Sequence, residues 1–417
     1  MKHFALNLTA MSPLAMRADH APDGASNAKY IAGSTLMGSL AMVYHLFHDE
    51  QSEGFRDIFL KERVVYPNLY PAVFTHSDLR NAHMLPVRPA PQTARTCKRF
   101  PGFAIVQDDD PDSEKHGVHD SLFDWAIFKL ASALSTSERL QLLRYQKECS
   151  HCKRSLKPFL DFYRHGQQQY SPMISATSHT RVQTHTGINR ETGTVQDGIL
   201  YNREVFEERM RFWGLLKVPE ELVAPLTDFL DQVGTSGLVR VGTGRSRGLG
   251  KVHLSVQPLP DDQYSLAAFK QRLDAFDTSF RERVKKLAPE LELGPFYFAL
   301  TLHSPTILHD DLLRYRTSID EQVLAELSGL PADSLRAIYQ TTGTRRITGW
   351  NELWGTPRFH EYALETGSVF FFASDKRDDE LLQALFRLEQ DGIGQRRAEG
   401  FGNVCISDPF HLEVEPK

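Results

Sequence analysis

The 417-residue chain has little cysteine, no long uncharged apolar run and almost no excess of charge. Four cysteines are too few for a disulfide framework. No segment approaches the roughly 18 apolar residues of a membrane span, and the first residues lack the apolar core of a signal peptide. The 48 basic and 53 acidic residues give a net charge of −5, which argues against a histone-like coat for nucleic acid but permits a local basic surface. We therefore expect a soluble, cytoplasmic protein.

The remaining composition is that of a folded protein, with 41% hydrophobic and 24% charged residues. Internal repetition is the first positive signal. Leu8–Pro13 matches Leu300–Pro305 at four of six positions. Gly242–Val252 also resembles Gly392–Val404, because both read G-x-G-x-x-R and then G-x-G-x-V, with two extra residues in the second copy. The order of these segments predicts two divergent copies of one domain.

The spacing of the repeats predicts the domain organisation. We expect a first domain over residues 1–260 with a large insertion at about 80–200, a helical linker over 261–290, and a second domain over 291–417. Apolar runs near residues 4 and 296 predict buried strands, and each glycine loop follows a helix and leads into a strand. The predicted fold class is therefore α+β, with two tandem β-α-β-β-α-β, ferredoxin-like domains.

One helix of the first domain has a recognisable start. Ser34 or Thr35 is predicted to cap a helix whose apolar face runs from Leu36 to Phe47. A second helix is predicted to begin near Pro219 and to end at Gly234.

The glycine loops do not fit the common nucleotide-binding motifs. Their G-x-G-x-x-x-G spacing and their helix-then-strand context differ from the dinucleotide fingerprint, and Val252 follows Lys251 where a phosphate-binding loop needs Ser or Thr. The first loop is basic and contains no acid between residues 238 and 251. Glycine allows close backbone approach to a polyanion, and arginine adds bidentate phosphate contacts. We expect RNA or phosphate contacts at Arg240, Gly244, Arg245, Ser246, Arg247 and Lys251, while the glycines alone would also suit tight helix–strand packing.

Two further stretches are basic and free of acid. Residues 79–107 include Arg95, Lys98 and Arg99 with interleaved phenylalanines, and residues 162–190 include Arg181. Basic groups together with aromatic rings suit single-stranded RNA, through phosphate pairing and base stacking. A solvated loop would have the same composition.

Three cysteines have a spacing that suits a metal. Cys149 and Cys152 form a C-x-x-C pair, with Cys97 upstream. Thiolates at this spacing favour tetrahedral zinc, which would be structural and would hold the insertion together. The residues leave the fourth ligand open among His116, His119 and His151, and three unrelated free thiols are the alternative.

Several motifs together resemble a known family. Tyr30–Leu40 reads Y-I-A-G-S-T-L-M-G-S-L, which resembles the Y-I-P-G-S-T-L-x-G-x-L opening of RAMP proteins, the repeat-associated subunits of CRISPR systems. The glycine loops resemble the RAMP G-loop. With Pro13–His20, Gly349–Gly355 and Gly392–Gly402 added, the chain is similar over nearly its whole length to the Csx-ten family of type III-D effector complexes. Ala32 stands where the family usually has Pro, and Met37 where many relatives have a basic residue.

The resemblance implies a Cas-five-like subunit of an RNA-guided complex. Such a subunit would hold the 5′ repeat tag of the CRISPR guide RNA, contact a Cas-ten-like large subunit and Cas-seven-like backbone subunits, and lie near target RNA. The resemblance also favours His116 as the fourth zinc ligand. Within the matching motifs we expect further RNA contacts at Arg17, His20, Ser34, Arg396 and Arg397.

The sequence therefore predicts an RNA-binding structural subunit with no catalytic residue. The alternative is a Cas-six-like endoribonuclease that processes precursor guide RNA, with a histidine such as His20 or His45 moving the 2′-hydroxyl proton. His303 and His309 occupy a similar place in the second copy. A target-cleaving backbone subunit is the third possibility.

Overall fold

A computed structural model of the chain describes residues 1–17, 27–48, 52–72, 86–103, 115–131, 147–165, 173–176, 178–189, 191–351 and 355–414. The helices are α1 (Gly33–His45), α2 (Glu53–Phe55, continued by a π-helical turn at Arg56–Leu60), α3 (Leu122–Leu130), α4 (Val223–Gly234), α5 (Leu266–Leu287), α6 (Glu321–Ser328), α7 (Asp379–Asp391) and α8 (Phe410–Glu413). Single 3-10 turns lie at Glu220–Leu222, Arg245–Arg247, Asp261–Tyr264, Ala332–Ser334 and Arg397–Glu399.

The strands are β1 (Lys2–Ala10), β2 (Tyr70–Pro71), β3 (Arg88–Pro89), β4 (Ala94–Cys97), β5 (Val118–Asp120), β6 (Leu156–Pro158), β7 (Phe162–His165), β8 (Met173–Ala176), β9 (Thr180–Ile188), β10 (Val195–Phe206), β11 (Arg211–Val218), β12 (Val252–Pro258), β13 (Phe296–Leu302), β14 (Leu335–Thr341), β15 (Thr344–Ile347), β16 (Trp350–Asn351), β17 (Thr356–Pro357), β18 (Glu361–Leu364), β19 (Val369–Ser374) and β20 (Val404–Ile406). The fold is mixed α/β with several antiparallel sheets. No helix among the described residues is long and apolar enough to cross a membrane.

The first half of the chain forms a four-stranded antiparallel sheet in the order β12-β1-β11-β2. Leu8 of β1 lies between Phe212 of β11 and Leu254 of β12. Because side chains alternate along a strand, Leu6 and Leu8 join these residues on one face, and α1 and α4 cover it. This packing forms the larger of the two main cores.

The second half repeats the arrangement with a sheet in the order β14-β19-β13-β20. Every residue of β13 is buried, because helices cover both faces of this sheet. Helices α6 and α7 pack on the face that contains Phe298 and Leu300. Helix α5 and helix α3 of the insertion pack on the opposite face, against Tyr297 and Phe371. The continuous apolar run that predicted β13 reflects this burial on both sides.

The start of α1 differs from the prediction. Its N-cap is Ala32, whose side chain makes no capping hydrogen bond, so Ser34 and Thr35 lie inside the first turn. The amide of Gly33 instead donates to the side-chain oxygen of Asn68 at 2.8 Å. Phe47 lies beyond the helix end and is 47% exposed, so it is not part of the buried face. A tertiary contact has replaced the local cap.

The inserted region packs on the second half of the chain. Phe159 and Tyr163 of the insertion share a small core with Phe410 and Val414 from the end of the chain. The hairpin of β9 and β10 continues to Phe206, past the predicted end of the insertion. Helix α5 lies within the predicted linker, and its apolar face is buried in the second half rather than exposed.

Candidate functional site

The first glycine loop, residues 241–252, connects α4 with β12 in an ordered conformation. Gly244 (φ 78°) and Gly248 (φ 81°) are left-handed and flank the 3-10 turn Arg245–Arg247. Gly250 is also left-handed, and a Cβ there would lie 2.5 Å from the carbonyl oxygen of Val241. The left-handed backbone therefore favours glycine at these places, and the contact with Val241 requires it at Gly250. The result is a rigid turn that presents Arg245 and Arg247 at its tip.

The β9–β10 hairpin lies directly against this loop. Arg247 donates from Nη1 to the hydroxyl of Tyr201, and its guanidinium lies 5.7 Å from the centre of the Tyr201 ring. His185, opposite Tyr201 in the register, stacks on that ring with centroids 5.2 Å apart. Arg203 approaches Gly244 from the same hairpin, because a Cβ on Gly244 would lie 2.8 Å from Nη1 of Arg203. The hairpin and the loop therefore form one surface of cations and aromatic rings.

The groups around this surface carry positive charge. Arg245 donates from Nε to the carbonyl of Gly242, and Arg240 donates to the carbonyl of Leu249. These contacts with backbone carbonyls help to position the two guanidinium groups. Arg247 and Lys251 are exposed. Guanidinium groups beside stacked rings can bind phosphates and bases of a single strand.

Two further predicted RNA-binding residues lie near this surface. Ala15 forms an isolated β-bridge with Thr243 of the loop. Arg17 is two residues further along the chain and therefore follows at the edge of the loop. Arg181 lies at the base of the hairpin and pairs with Glu208 at 3.5 Å. His20 lies outside the described residues. Tyr201 and Arg203 were missed by the sequence analysis, although their positions in a strand next to an acid-free segment would have been a usable signal.

The second glycine loop, residues 393–404, has the same backbone. The amides of Gly250 and Gly402 donate to the carbonyls of Pro13 and Pro305. Arg396 (φ 56°) and Gly400 (φ 88°) take the left-handed places of Gly244 and Gly248 around the turn Arg397–Glu399. The two loops thus correspond residue by residue at an offset of 152, without insertion.

This correspondence corrects the sequence alignment, in which the second loop began at Gly392 and had two extra residues. That alignment was wrong because it matched the first glycine of the G-x-G pair at 392–394. The structurally equivalent position is the second glycine of this pair, two residues later. In the structural alignment Arg247 corresponds to Glu399, and Gly244 corresponds to Arg396. The second loop therefore has an acid where the first has its most exposed arginine.

Acidic partners surround Arg396 in the second loop. Its guanidinium binds Glu399 at 2.7 Å, also pairs with Glu361, and lies 4.6 Å from the centre of the Phe401 ring. Arg358 binds Glu399 as well, at 2.8 Å. Burial alone would raise the pKa of the Glu399 carboxyl, but Arg396 and Arg358 outweigh it and hold the pKa below its ordinary value. The charge of Arg396 is already compensated.

The second loop is docked on the start of α1 in the first half. Asn68 accepts from the amide of Gly33 and donates to the carbonyl of Gly400 at 3.0 Å. The amide of Tyr66 donates to Ala398 at 3.0 Å. A Cβ on Gly33 would lie 2.6 Å from the carbonyl oxygens of Glu399 and Tyr66. The Gly-Ser-Thr start of α1 therefore fits between two backbone segments.

The predicted RNA contacts Ser34, Arg396 and Arg397 lie at this junction. Ser34 is half-buried beside Gly33, and Arg397, which is exposed, donates to the carbonyl of Asp391. The structure thus separates the predicted residues into a surface at the first loop and a junction at the second. RNA binding at Ser34, Arg396 and Arg397 stays a prediction, and the ion pairs of Arg396 count against it.

The metal cluster is assembled as the sequence and the resemblance predicted. Cys97, His116, Cys149 and Cys152 place their ligand atoms within 4.8 Å of one another. Cys97 Sγ lies 3.5 Å from Cys152 Sγ, and Cys149 Sγ lies 3.3 Å from Nδ1 of His116. Four ligands at about 2.0–2.3 Å from a zinc ion in a tetrahedron lie about 3.3–3.8 Å apart, so these pairs already have suitable separations. His119 and His151 are not in the cluster.

The surroundings of the cluster act differently on its thiols, because they lower the pKa of Cys97 and raise that of Cys152. Burial works to raise the pKa of the Cys97 thiol, but the amides of Phe100 and Arg99 donate to it and contribute to a pKa below the ordinary value. Cys149 is fully buried and Cys152 is half-buried. A Cys3His set of soft ligands favours zinc over magnesium or calcium. The described residues therefore fit a structural zinc site.

The other predicted RNA contacts lie beside this cluster. Lys98 and Arg99 follow Cys97 and are exposed, whereas Arg95 of β4 is half-buried and opposite His119. Their RNA role stays a prediction for a separate surface.

The histidines proposed for catalysis do not converge. His303 is buried and pairs with Asp408, which is fully buried. His45 is exposed at the end of α1, and His309 contacts Tyr315. Burial alone would raise the pKa of Asp408, but His303 and Arg88 hold it well below its ordinary value. His303 is therefore engaged in a buried hydrogen bond with Asp408.

Comparison with known proteins gives one family match. The RAMP superfamily model matches residues 175–253, which include the β9–β10 hairpin and the first glycine loop. No curated protein matches the chain.

Three solved structures show weak similarity. A chain of the type III-B Cmr-beta complex bound to cognate target RNA is 11% identical, with a TM-score of 0.39 over 88% of this chain and 86% of that chain. A second chain, from the same complex with cognate target RNA and AMPPnP, is 12% identical, with a TM-score of 0.35 over the same shares. An apo-state Cmr-beta chain is 11% identical, with a TM-score of 0.29 over 62% of this chain and 98% of that chain. TM-scores this low carry no argument about this chain.

Proposed function

We propose that this protein is an RNA-binding structural subunit of a type III CRISPR effector complex, which holds the 5′ repeat tag of the guide RNA and bridges neighbouring subunits. The observation that carries the proposal is the surface formed by the first glycine loop and the β9–β10 hairpin. There Arg247 lies over Tyr201, and Arg203 lies against Gly244. The RAMP model matches this same segment. Phosphates would bind the arginines, and bases would stack on the exposed parts of the rings.

The proposal includes two tandem ferredoxin-like domains, the first with a zinc-containing insertion. Both main sheets have the strand order that a β-α-β-β-α-β chain gives, with the fourth and third strands flanking the first. The zinc would be held by the Cys97 cluster. Elemental analysis of protein purified without added metal should give about one zinc per chain. His116→Ala should lower the zinc content more than His151→Ala, and zinc-free protein with unchanged melting would contradict this part.

The partners follow from the resemblance of the sequence motifs. We propose a type III-D, Csx-ten-like subunit that contacts a Cas-ten-like large subunit and Cas-seven-like backbone subunits, with target RNA nearby. Purification of the complex from its native host, followed by sequencing of the bound RNA, would identify both sets of partners. Bound RNA without a repeat-derived 5′ end would contradict the guide-RNA role.

RNA binding is tested at the tip of the first loop. Arg245→Ala with Arg247→Ala should weaken the binding of repeat-derived RNA and reduce the slope of log affinity against log salt by about 1.4, or about 0.7 for each lost phosphate contact. A matched control removes two exposed arginines of the second half, Arg336 and Arg387, and therefore the same charge. Equal affinity and salt slope in the two folded double variants would reject the proposal.

We further propose that the protein has no nuclease activity. The arginine and tyrosine side chains proposed to bind RNA on this surface do not exchange protons near neutral pH. Isolated protein should bind repeat-derived RNA and leave it intact, with or without magnesium. Site-specific cleavage that His45→Ala or His20→Ala abolishes would favour the processing endoribonuclease instead.

A further inference from the structure

A second group of rings and cations lies on the hairpin of β15 and β18 in the second half. Arg346 of β15 is directly opposite Tyr362 of β18. Side chains of directly opposed residues lie on the same face of a hairpin, so these two are neighbours. Tyr362 meets Tyr315 edge to face at 5.6 Å, and Tyr315 meets His309 at 4.5 Å. We name Arg346, Tyr362, Tyr315 and His309 the second platform.

The second platform is open to solvent. Tyr362 is 49% exposed, and Arg346 is also exposed. Arg346 makes no hydrogen bond or ion pair within the described ranges. Tyr315 is half-buried, so its ring lies deeper than that of Tyr362.

The charge around the second platform favours an anion. Two nearby carboxylates are already paired, because Asp310 binds Arg314 at 2.7 Å and Glu361 binds Arg396. Asp311 remains as an exposed acid in the neighbouring loop. Thr344 and Arg346 lie two residues apart on β15 and therefore on the same face, so polar groups flank Tyr362 there.

We propose that the second platform binds single-stranded RNA, with a base stacked on Tyr362 and a phosphate on Arg346. This contact lies on the second half of the chain and is separate from the surface of the first glycine loop. It belongs to the same class of ligand as the proposed function but rests on other residues. Exposed rings bind bases largely without sequence preference, so the platform would hold RNA of any sequence.

The experiment uses the full chain and a fluorescein-labelled U15 oligonucleotide, with the corresponding U15·A15 duplex as a second probe. Tyr362→Ala should weaken U15 binding about tenfold, since stacking on an aromatic residue contributes about 1–3 kcal/mol per base. Tyr362→Phe keeps the ring and should bind like the unmodified protein. Leu312→Ala removes another exposed side chain of this half and is the control. The duplex should be much less affected, because its bases are not available for stacking.

Each variant is also measured together with Arg245→Ala and Arg247→Ala, which separates this inference from the proposed function. A loss in Tyr362→Ala that persists in this background supports the second platform even if the first loop proves irrelevant. Ultraviolet crosslinking of U15 should also label a peptide that contains Tyr362 or Tyr315. Unchanged U15 affinity in folded Tyr362→Ala, or loss of a protein partner with RNA binding intact, would overturn the proposal.

Discussion

The two glycine loops share one backbone and have different surroundings. In the first, Arg247 lies exposed over Tyr201, and Arg245 donates to the backbone carbonyl of Gly242. In the second, Glu399 takes the place of Arg247 and binds Arg396 and Arg358, and the loop is docked on α1. The left-handed residues and the 3-10 turn are thus what the backbone needs in order to connect the helix with the strand. The function depends on the side chains placed on that backbone.

The neighbours of each loop reinforce this difference. The second loop is held by Asn68 and fits against Gly33, so its peptide groups are already used inside the chain. The first loop is held at its base by Pro13 and Ala15 and lies beside the hairpin, and its tip from Arg245 to Gly248 is half-buried or exposed. A loop motif in a sequence therefore indicates a geometry, and the tertiary contacts decide whether a ligand can reach it.

The largest expected effect comes from making the second loop like the first. Glu399→Arg removes a carboxylate that is 16% exposed and places a third guanidinium beside Arg396 and Arg358. Breaking a mostly buried ion pair in this way should lower the free energy of unfolding by about 3 kcal/mol. The reciprocal Arg247→Glu lies on the surface and should change stability by less than ~0.5 kcal/mol, while it weakens RNA binding. Urea denaturation and RNA titration measure the two effects, and equal stability losses would show that the loops are alike.

A smaller effect tests the docking of the second loop. Gly33→Ala places a Cβ 2.6 Å from two carbonyl oxygens of the backbone, which cannot rotate away. Overpacking of this kind should lower the unfolding free energy by about 2 kcal/mol. Gly38→Ala is the matched control in the same helix, where a Cβ meets nothing within 4 Å and should raise helix stability by about 0.5–1 kcal/mol. A stable Gly33→Ala variant would mean that the loop is not held at α1.

The smallest effect is a dependence on pH that only the second loop should show. The pKa of Glu399 lies below its ordinary value in the folded protein, because Arg396 and Arg358 outweigh the burial that would raise it. The carboxylate therefore contributes stability above about pH 4.5, and this contribution is lost as the pH falls through the folded pKa. The difference in unfolding free energy between the unmodified protein and Glu399→Gln should shrink between pH 6 and pH 3.5. A difference that stays constant would contradict the ion pair.

Much of the fold could be predicted from apolar periodicity. The strands at residues 4 and 296 and the helices before each glycine loop lie where the pattern placed them, because their burial leaves a local signature. The start of α1 could not be predicted in this way, since its first amide is satisfied by Asn68, 35 residues away. A local cap motif carries no information about a partner so far along the chain.

The candidate sites show the same division. The spacing of Cys149 and Cys152 placed two ligands on one turn, and the resemblance selected His116 among three histidines. The contact of Arg247 with Tyr201 joins residues 46 positions apart and has no local signature. The alignment of the two loops was off by two residues, because repeated glycines match in more than one register.

The sequence by itself predicted two related halves, a glycine turn before the last strand of each, and three cysteines that could share a metal with a histidine. These properties depend on composition and short-range pattern. Only the tertiary structure showed that Glu399 pairs with the arginine of the second loop, and that the hairpin brings Tyr201 against the arginine of the first loop. The reason is physical: the charge available to a ligand depends on which distant groups already neutralise it, and folding alone brings those groups together.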